Sequence, residues 1–439
     1  MTTHEVTVGI DIGTSSVKAI AADADGTVIA RTRLAHGFFV PAPMRFEHDA
    51  RVAWLEGPRA ALRELGDLAP RAVSVAAMVP SLCAVDGDGV PCTPGLLYGD
   101  ERGDTGSAGS PAESGELAAF LEWVAGVAPD ARGYWPAQAV ANFGLCGEGV
   151  ISTTTAATAT PLFDWTGWDA AHVERAGARV EQMPRIEVSG RAVGEVRDVK
   201  GCVLEAGTID ALGEQVVAGA DRVGDVLVIC GTTLIVWVVV SEPRAVPGCF
   251  TVPHTVPGLF LVGGPSNAGG LFIDWVSRIV DTPDDAVSPG SVPIWVPYLR
   301  GERVPVHDRA RRGALHDLDL THDRAAVQRA AYESAGFVVR RMIDAAAATP
   351  RRIVASGGGT RDARWIQALA DTTGAPVEVA AVAEGGALGA AFLARLAAGL
   401  ETNLADGARW ARHERTVEPR EPWVEAASVR YARFVELAR

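Results

Sequence analysis

At 439 residues, with 48% hydrophobic and 21% charged side chains, the chain exceeds one ordinary core and is expected to form two domains of about 200 residues each. Its net charge of −14 argues against nucleic acid, whose binding rests on dense positive charge, and no apolar run is long enough for a membrane span. Six cysteines without a CxxC pair, and a strand starting almost at once after Met1 with no signal peptide, make the cytoplasm the expected compartment.

The first elements are short and apolar. EVTVGID (5–11), VKAIAAD (17–23) and TVIARTR (27–33) read as strands joined by the tight turns GTSS and ADG, the second carrying the hairpin signal Asp25-Gly26. A helical spacing follows over 51–65, then strands at 72–78 and 95–100. Beyond a polar stretch near 220 the plan repeats. DVLVIC (225–230), the turn GTT, LIVWVVV (234–240) and GLFLVGG (258–264) again give strand, Gly-Thr turn, strand, strand. Helices are expected at about 268–281 and 322–347, then the strand RRIVAS (351–356), a helix from Asp362, the strand PVEVAA (376–381) and a small-residue helix in EGGALGAAFLARLAAG. This order predicts an internal duplication, with domains at 1–219 and 220–439 and a ligand cleft between them.

Lysine is nearly absent: only Lys18 and Lys200 contribute to a Lys+Arg total of 40, and Lys18 follows the first Gly-Thr turn. Turns of small residues gather backbone N–H groups and hydroxyls at one point, and Gly13 and Gly231 let a ligand approach the backbone closely. One such turn per domain would grip an oligophosphate. No GxxxxGK[ST] occurs, so a P-loop is excluded. SGGGTRDARW sits between a strand and a helix, but its glycines do not follow the GxGxxG dinucleotide pattern.

IDIGTSSVKA, GTT at 231–233 and SGGGTRDARWIQALADTTGAPVEV…EGGALGAA resemble the two phosphate motifs and the adenosine motif of the FGGY family of carbohydrate kinases. RFEHDARVAW, YGDER, AGTIDALGEQVVAG and VPYLRGERVPVHDRARRG extend the likeness along nearly the whole chain. The resemblance implies an α/β protein with two ribonuclease H-like domains of the actin and hexokinase type. It also implies ATP and Mg²⁺ as cofactors, a small sugar or polyol as substrate, and room for a homodimer.

By the same resemblance Asp210, in a Gly-flanked loop, is the catalytic base and a substrate contact, although an aspartate there equally suits a helix cap. Asp11 would hold Mg²⁺ through water. Thr14, Ser15 and Lys18, with Gly13, would line the β/γ-phosphate site, and Gly231, Thr232 and Thr233 would form a second clamp. Gly357, Gly358 and Gly359 would carry the adenosine, with Ala387 and Gly389 close by, though small residues in GALGAA also suit plain helix packing. Met78, Asp100 and Arg102 would contact the sugar. Several positions depart from the family pattern: Tyr98 replaces a tryptophan, Pro80-Ser81 carries no histidine, Ala211 replaces an amide, and the segment 103–120 is short. The expected activity is phosphorylation of a ketopentose such as xylulose. The alternative is a nucleotide-binding, sugar-responsive regulator derived from such kinases.

Overall fold

The computed structural model describes residues 5–103, 115–280 and 287–438, which form two compact units. The first contains the chain up to 103, residues 115–217 and residues 384–410; the second contains 218–280, 287–383 and 411–438. Among the described residues no helix is long and apolar enough to cross a membrane.

In the first unit, β1 (Thr7–Ile12), β2 (Ser16–Ala22) and β3 (Val28–Ala35) form an antiparallel meander. After α1 (Gly57–Glu64), strand β4 (Ala72–Ala77) joins parallel to β1. Helices α2 (Glu116–Val127) and α3 (Ala137–Cys146) precede β5 (Ala192–Glu195), β6 (Val203–Glu205) and the short β7 (Thr208–Ile209). The sheet order is β5-β6-β4-β1-β2-β3, with β7 continuing along β4, and α4 (Asp210–Ala218) leaves directly from β7. At the end of β6 the buried Glu205 carboxylate accepts from Ser74 Oγ and from the N–H groups of Gly190 and Gly207, and burial pushes its pKa up to about 7.

The second unit begins with β8 (Asp225–Cys230), β9 (Leu234–Val240), β10 (Phe250–Pro253) and β11 (Phe260–Ser266), then α5 (Gly270–Val280) and α6 (Arg324–Ala345). Strand β12 (Arg352–Ser356), α7 (Ala363–Thr373) and β13 (Val377–Ala380) follow. Helix α8 (Gly385–Ala397) returns to the first unit, and β14 (His413–Val417) and α9 (Glu421–Leu437) complete the second. The sheet order is β10-β11-β9-β8-β12-β13-β14. Six strands of each sheet correspond, while β10 in the second sheet and β7 in the first have no counterpart. In both, a hairpin and a third antiparallel strand lie on one side, two parallel strands on the other, and an antiparallel strand at that edge.

Two sequence expectations shift. Residues 95–97 pair with Glu47–His48 and Ser81–Val85 in a separate four-stranded sheet, because the loop after β4 turns away from the main sheet. Helix α8 lies in the first unit although the division expected near 220 puts it with the second. Its reason is packing: side chains alternate along β1, so Val8, Ile10 and Ile12 enter the main core while Thr7, Gly9 and Asp11 face the other way, toward α8. A Cβ on Gly9 would stand 1.7 Å from Ala387 O, and one on Gly389 1.8 Å from Gly213 O. Backbone touches backbone there.

The first turn is tied to the four-stranded sheet. Trp54 Nε1 donates to His48 Nδ1 at 3.0 Å, which fixes the proton on Nε2, and Nε2 donates to Thr14 O at 2.7 Å. Burial, aided by the neighbouring His36, pushes the His48 pKa down to about 4.

Gly389→Ala should therefore destabilise the protein by about 3 kcal/mol or more in urea unfolding. Gly126→Ala, in α2 with no atom within 4 Å of the new Cβ, should be neutral or stabilise by about 0.5–1 kcal/mol. The depressed His48 pKa makes the folded chain bind fewer protons than the unfolded one between about pH 4 and 6.5. Its contribution, about 3 kcal/mol, is complete above pH 6.5 and lost as pH falls toward 4. His48→Asn should flatten the pH dependence of unfolding free energy over that window, while His36 and His254, also pushed down by burial, keep theirs.

Candidate active site

The C-terminal ends of β1, β4 and β7 lie side by side. Asp11 and Thr208 flank Ala76 in register, and Ile12 and Ile209 flank Ala77. Asp11 is thus the penultimate residue of one strand, and Asp210 follows immediately on the last residue of the other. Gly386, in the first turn of α8, is where they meet. A Cβ at that position would lie 3.5 Å from Asp11 Cγ and 3.5 Å from Asp210 O. Ligands of α/β sheets gather at this edge.

Across the hairpin Asp11 pairs with Lys18, and Lys18 Nζ donates to Asp11 Oδ2 at 3.1 Å. The Lys18 pKa is raised chiefly by the Asp11 carboxylate, with Glu214 adding to it and burial and Arg33 opposing. Asp11 Oδ1 is buried without a hydrogen-bond partner among the described residues. Such an acceptor wants a donor. A hydrated Mg²⁺ fits it, since magnesium keeps several waters and needs one or two carboxylates rather than an all-protein cage. Among the described residues no group of three or more His, Cys, Asp or Glu side chains is placed to hold a metal.

The first turn closes through Gly13 N–H donating to Ser16 O at 3.1 Å, and Ser15 O accepts from His36 N–H. Among the described residues the N–H groups of Thr14 and Ser15 have no acceptor. Thr14 Oγ1 lies 2.8 Å from Tyr98 OH, so the tyrosine that replaces the family tryptophan braces this turn. The second unit repeats the device. Gly231 N–H donates to Thr233 O at 3.1 Å, again leaving the N–H groups of Thr232 and Thr233 without an acceptor among the described residues. The turn carbonyls are occupied: Gly231 O and Thr232 O accept from Gly270 N–H and Leu271 N–H at the start of α5. Gly269 and Gly270 permit that approach, their Cβ positions falling 2.3 Å from Thr233 C and 2.7 Å from Gly231 O. Glu302, buried and pushed up to about 7, accepts from Ser266 Oγ and Asn267 N–H and holds the segment before α5.

The three glycines at 357–359 serve different ends. Gly357, at φ +89°, and Gly359 would each bring a Cβ within 2.8 Å of Cys230 O, so both are spent on chain packing. Gly358 is open, its nearest atom being Arg361 Nη1 at 3.9 Å. Asp362 caps α7 through Oδ1 and accepts from Tyr332 OH through Oδ2. Beside this helix start is a cavity of about 310 Å³ lined by Gln328, Tyr332, Ala363, Arg364 and Trp423. Gln328 Oε1 is buried without a partner among the described residues.

The remaining expected positions have the following partners. Asp100 and Arg102 are turned on each other: Arg102 Nε and Nη2 reach the two Asp100 oxygens at 2.8 and 2.7 Å, and Phe46 N–H donates to Asp100 Oδ2. Arg102 also pairs with Glu47 and lies over the Trp123 ring. Met78 is buried, its N–H donating to Ile12 O and its carbonyl accepting from Ser81 Oγ. Ala387 and Gly389 are buried where α8 crosses β1 and α4. Residues 104–114 of the short segment 103–120 lie outside the described residues. Sequence reasoning passed over Glu214 and Gly386. Glu214 carries a sequence signal, one helical turn after Asp210 on the same face; Gly386 acts through a contact distant in sequence.

Residues 226–398 match the C-terminal domain of the FGGY family of carbohydrate kinases. The chain is 30% identical over 426 residues to the xylulose kinase of Streptomyces rubiginosus, spanning 88% of this chain and 86% of that one. It is 23% identical over 448 residues to the gluconokinase of Bacillus subtilis, spanning 89% and 87%. The solved xylulose kinase from Rhodospirillum rubrum superposes with a TM-score of 0.80 at 24% identity, over 98% of each chain. The repeated sheet, the turn in each unit and this likeness over nearly the full length agree: the chain belongs to the FGGY family of carbohydrate kinases, as an ATP-using sugar kinase of the two-domain actin and hexokinase type.

Proposed function

We propose that the chain transfers the γ-phosphoryl group of ATP to a hydroxyl of a small sugar, with a ketopentose such as xylulose as the first substrate to try. The observation that supports the reading is that the Asp11 side chain and the Asp210 main chain both meet Gly386, at the strand edge beside a turn whose Thr14 and Ser15 N–H groups have no acceptor among the described residues. The specific sugar follows the Streptomyces relative.

In this mechanism Asp210 accepts the proton of the attacking hydroxyl, whose oxygen bonds the γ-phosphorus as the β–γ bridging oxygen departs with ADP. The Thr14 and Ser15 N–H groups and Lys18 hold phosphate oxygens, as small-residue turns do for anions. Asp11 would hold Mg²⁺ through water, and the ion supplies charge neutralisation on the phosphates. The turn of the second unit offers its own Thr232 and Thr233 N–H groups to phosphate oxygens. Gly358 leaves backbone open to a nucleoside, and the adjoining cavity offers aromatic faces and the Gln328 Oε1 acceptor to the amino group of adenine.

The Asp100–Arg102 pair favours a second reading of the sugar side. Both groups are already satisfied, so they shape the pocket wall instead of touching the polyol, and sugar recognition falls to other residues. A regulator that binds nucleotide without turnover remains the alternative.

Coupled ADP release over a panel of ketopentoses, gluconate and glycerol should show Mg²⁺-dependent turnover with one class above the rest. Nucleotide binding by calorimetry without turnover on any sugar would favour the regulator. Asp210→Asn should lower kcat about 10³-fold with the KM for ATP nearly unchanged; full turnover in that variant would remove Asp210 as the base. Asp11→Asn should raise the Mg²⁺ concentration giving half-maximal rate about tenfold.

A further inference from the structure

The other lysine, Lys200, lies far from this chemistry. It lines a cavity of about 420 Å³ in the first unit together with Arg59, Arg63, Arg197, Asp67 and Asp198. Four cations face two carboxylates there, in a chain whose net charge is −14. Among the described residues none of the four basic side chains forms an ion pair. Arg59 and Arg63 are four residues apart on α1, a spacing at which like charges repel unless an anion comes between them.

The cavity is built rather than incidental. Arg197 stacks its guanidinium on the Phe143 ring at 5.8 Å. Gly147, at φ +94° beyond the end of α3, leaves room for it, since a Cβ there would stand 2.4 Å from Arg197 Nη2. The helix end accounts for one cation by its dipole; it does not account for Arg59, Arg63 and Lys200 around the same space. The Arg59 side chain lies along α3, its Cδ being 3.5 Å from the Cβ position of Gly144. Lys200 stands in the turn between β5 and β6.

This is not the kinase site. Pro70, also in its wall, precedes the first residue of β4, and Lys200 precedes β6, so the cavity opens at the N-terminal ends of these strands. Asp11 and Asp210 occupy the opposite ends, roughly 20 Å away along a six-residue strand.

We propose that this cavity is a second ligand site, which binds a small, multiply charged phosphate ester of metabolite size. Its volume suits such a molecule, and arginine forks match phosphate oxygens in pairs. One ligand would bridge α1, α3 and the β5–β6 turn.

The test is calorimetric titration of the full chain with inorganic pyrophosphate at low ionic strength, with the kinase site saturated by Mg²⁺-ADP. Wild type should bind one pyrophosphate, and Arg63→Ala with Lys200→Ala should raise Kd at least tenfold. Arg175→Ala with Arg222→Ala, an equal charge change at exposed positions away from the cavity, should leave Kd within twofold. Lys18→Met, at the first phosphate turn, should retain this binding. Equal loss in both double variants, or loss with Lys18→Met alone, would overturn the proposal, as would a Kd unchanged by Arg63→Ala with Lys200→Ala. Both cavity residues are exposed, so the variants should keep the wild-type thermal transition, which is checked first.

Discussion

Everything at the candidate site depends on backbone meeting backbone where α8 crosses β1 and α4. Glycine at 9, 213 and 389 removes the side chains that would hold these elements apart, and the resulting approach is closer than any Cβ permits. Dispersion contacts at that distance are dense, and each added methyl would have to displace main chain rather than a flexible side chain. The crossing also fixes Gly386 beside Asp11 and Asp210. A packing constraint therefore places the Asp11 side chain and the Asp210 main chain against the same residue of α8.

Electrostatics then sort the groups so placed. Lys18 spends its ammonium on Asp11 Oδ2, and Glu214 deepens the negative field around it, so the lysine stays charged. That leaves Asp11 Oδ1 buried and unpartnered, a cost of about 1–3 kcal/mol unless something donates to it. Functional sites commonly carry such unmet demand in place of stability. The His48 chain works in the opposite sense: Trp54, His48 and Thr14 O form a satisfied relay that holds the first turn without charge.

The strand–turn–strand pattern was legible because it is local. Alternation in VGIDIG and the small residues of GTSS fix a hairpin, and GTT after DVLVIC fixes its counterpart. The order of elements likewise carried the repeated plan, which six strands of each sheet share. What stayed hidden were contacts between distant segments. GALGAA reads as a helix but not as one that crosses back to β1, because periodicity shows which face is small and not what it meets. The triple glycine reads as one motif, yet only Gly358 is open while its neighbours serve Cys230 O. Asp100 and Arg102 lie two residues apart, and nothing in that spacing says that they pair with each other.

The repeated sheet also shows how the two turns differ in charge. The two hairpins superimpose in topology, so the position two residues before Gly13 corresponds to the position two before Gly231. The first is Asp11 and the second is Ile229. Across each hairpin the partners are Lys18 and Ile235. An ion pair in one sheet is thus replaced by two buried isoleucines in the other. Both turns keep acceptor-free N–H groups, so both retain the means to hold phosphate oxygens. Among the described residues, the first turn has beside it a carboxylate with an unmet oxygen, and a strand ending at Ile209 leads into Asp210 alongside it. A second charged pair would have brought desolvation costs without a second reacting group to use it. Apolar replacement in the second unit leaves, among the described residues, a turn with free N–H groups and no charge at the paired positions, whereas the first unit keeps the ion pair.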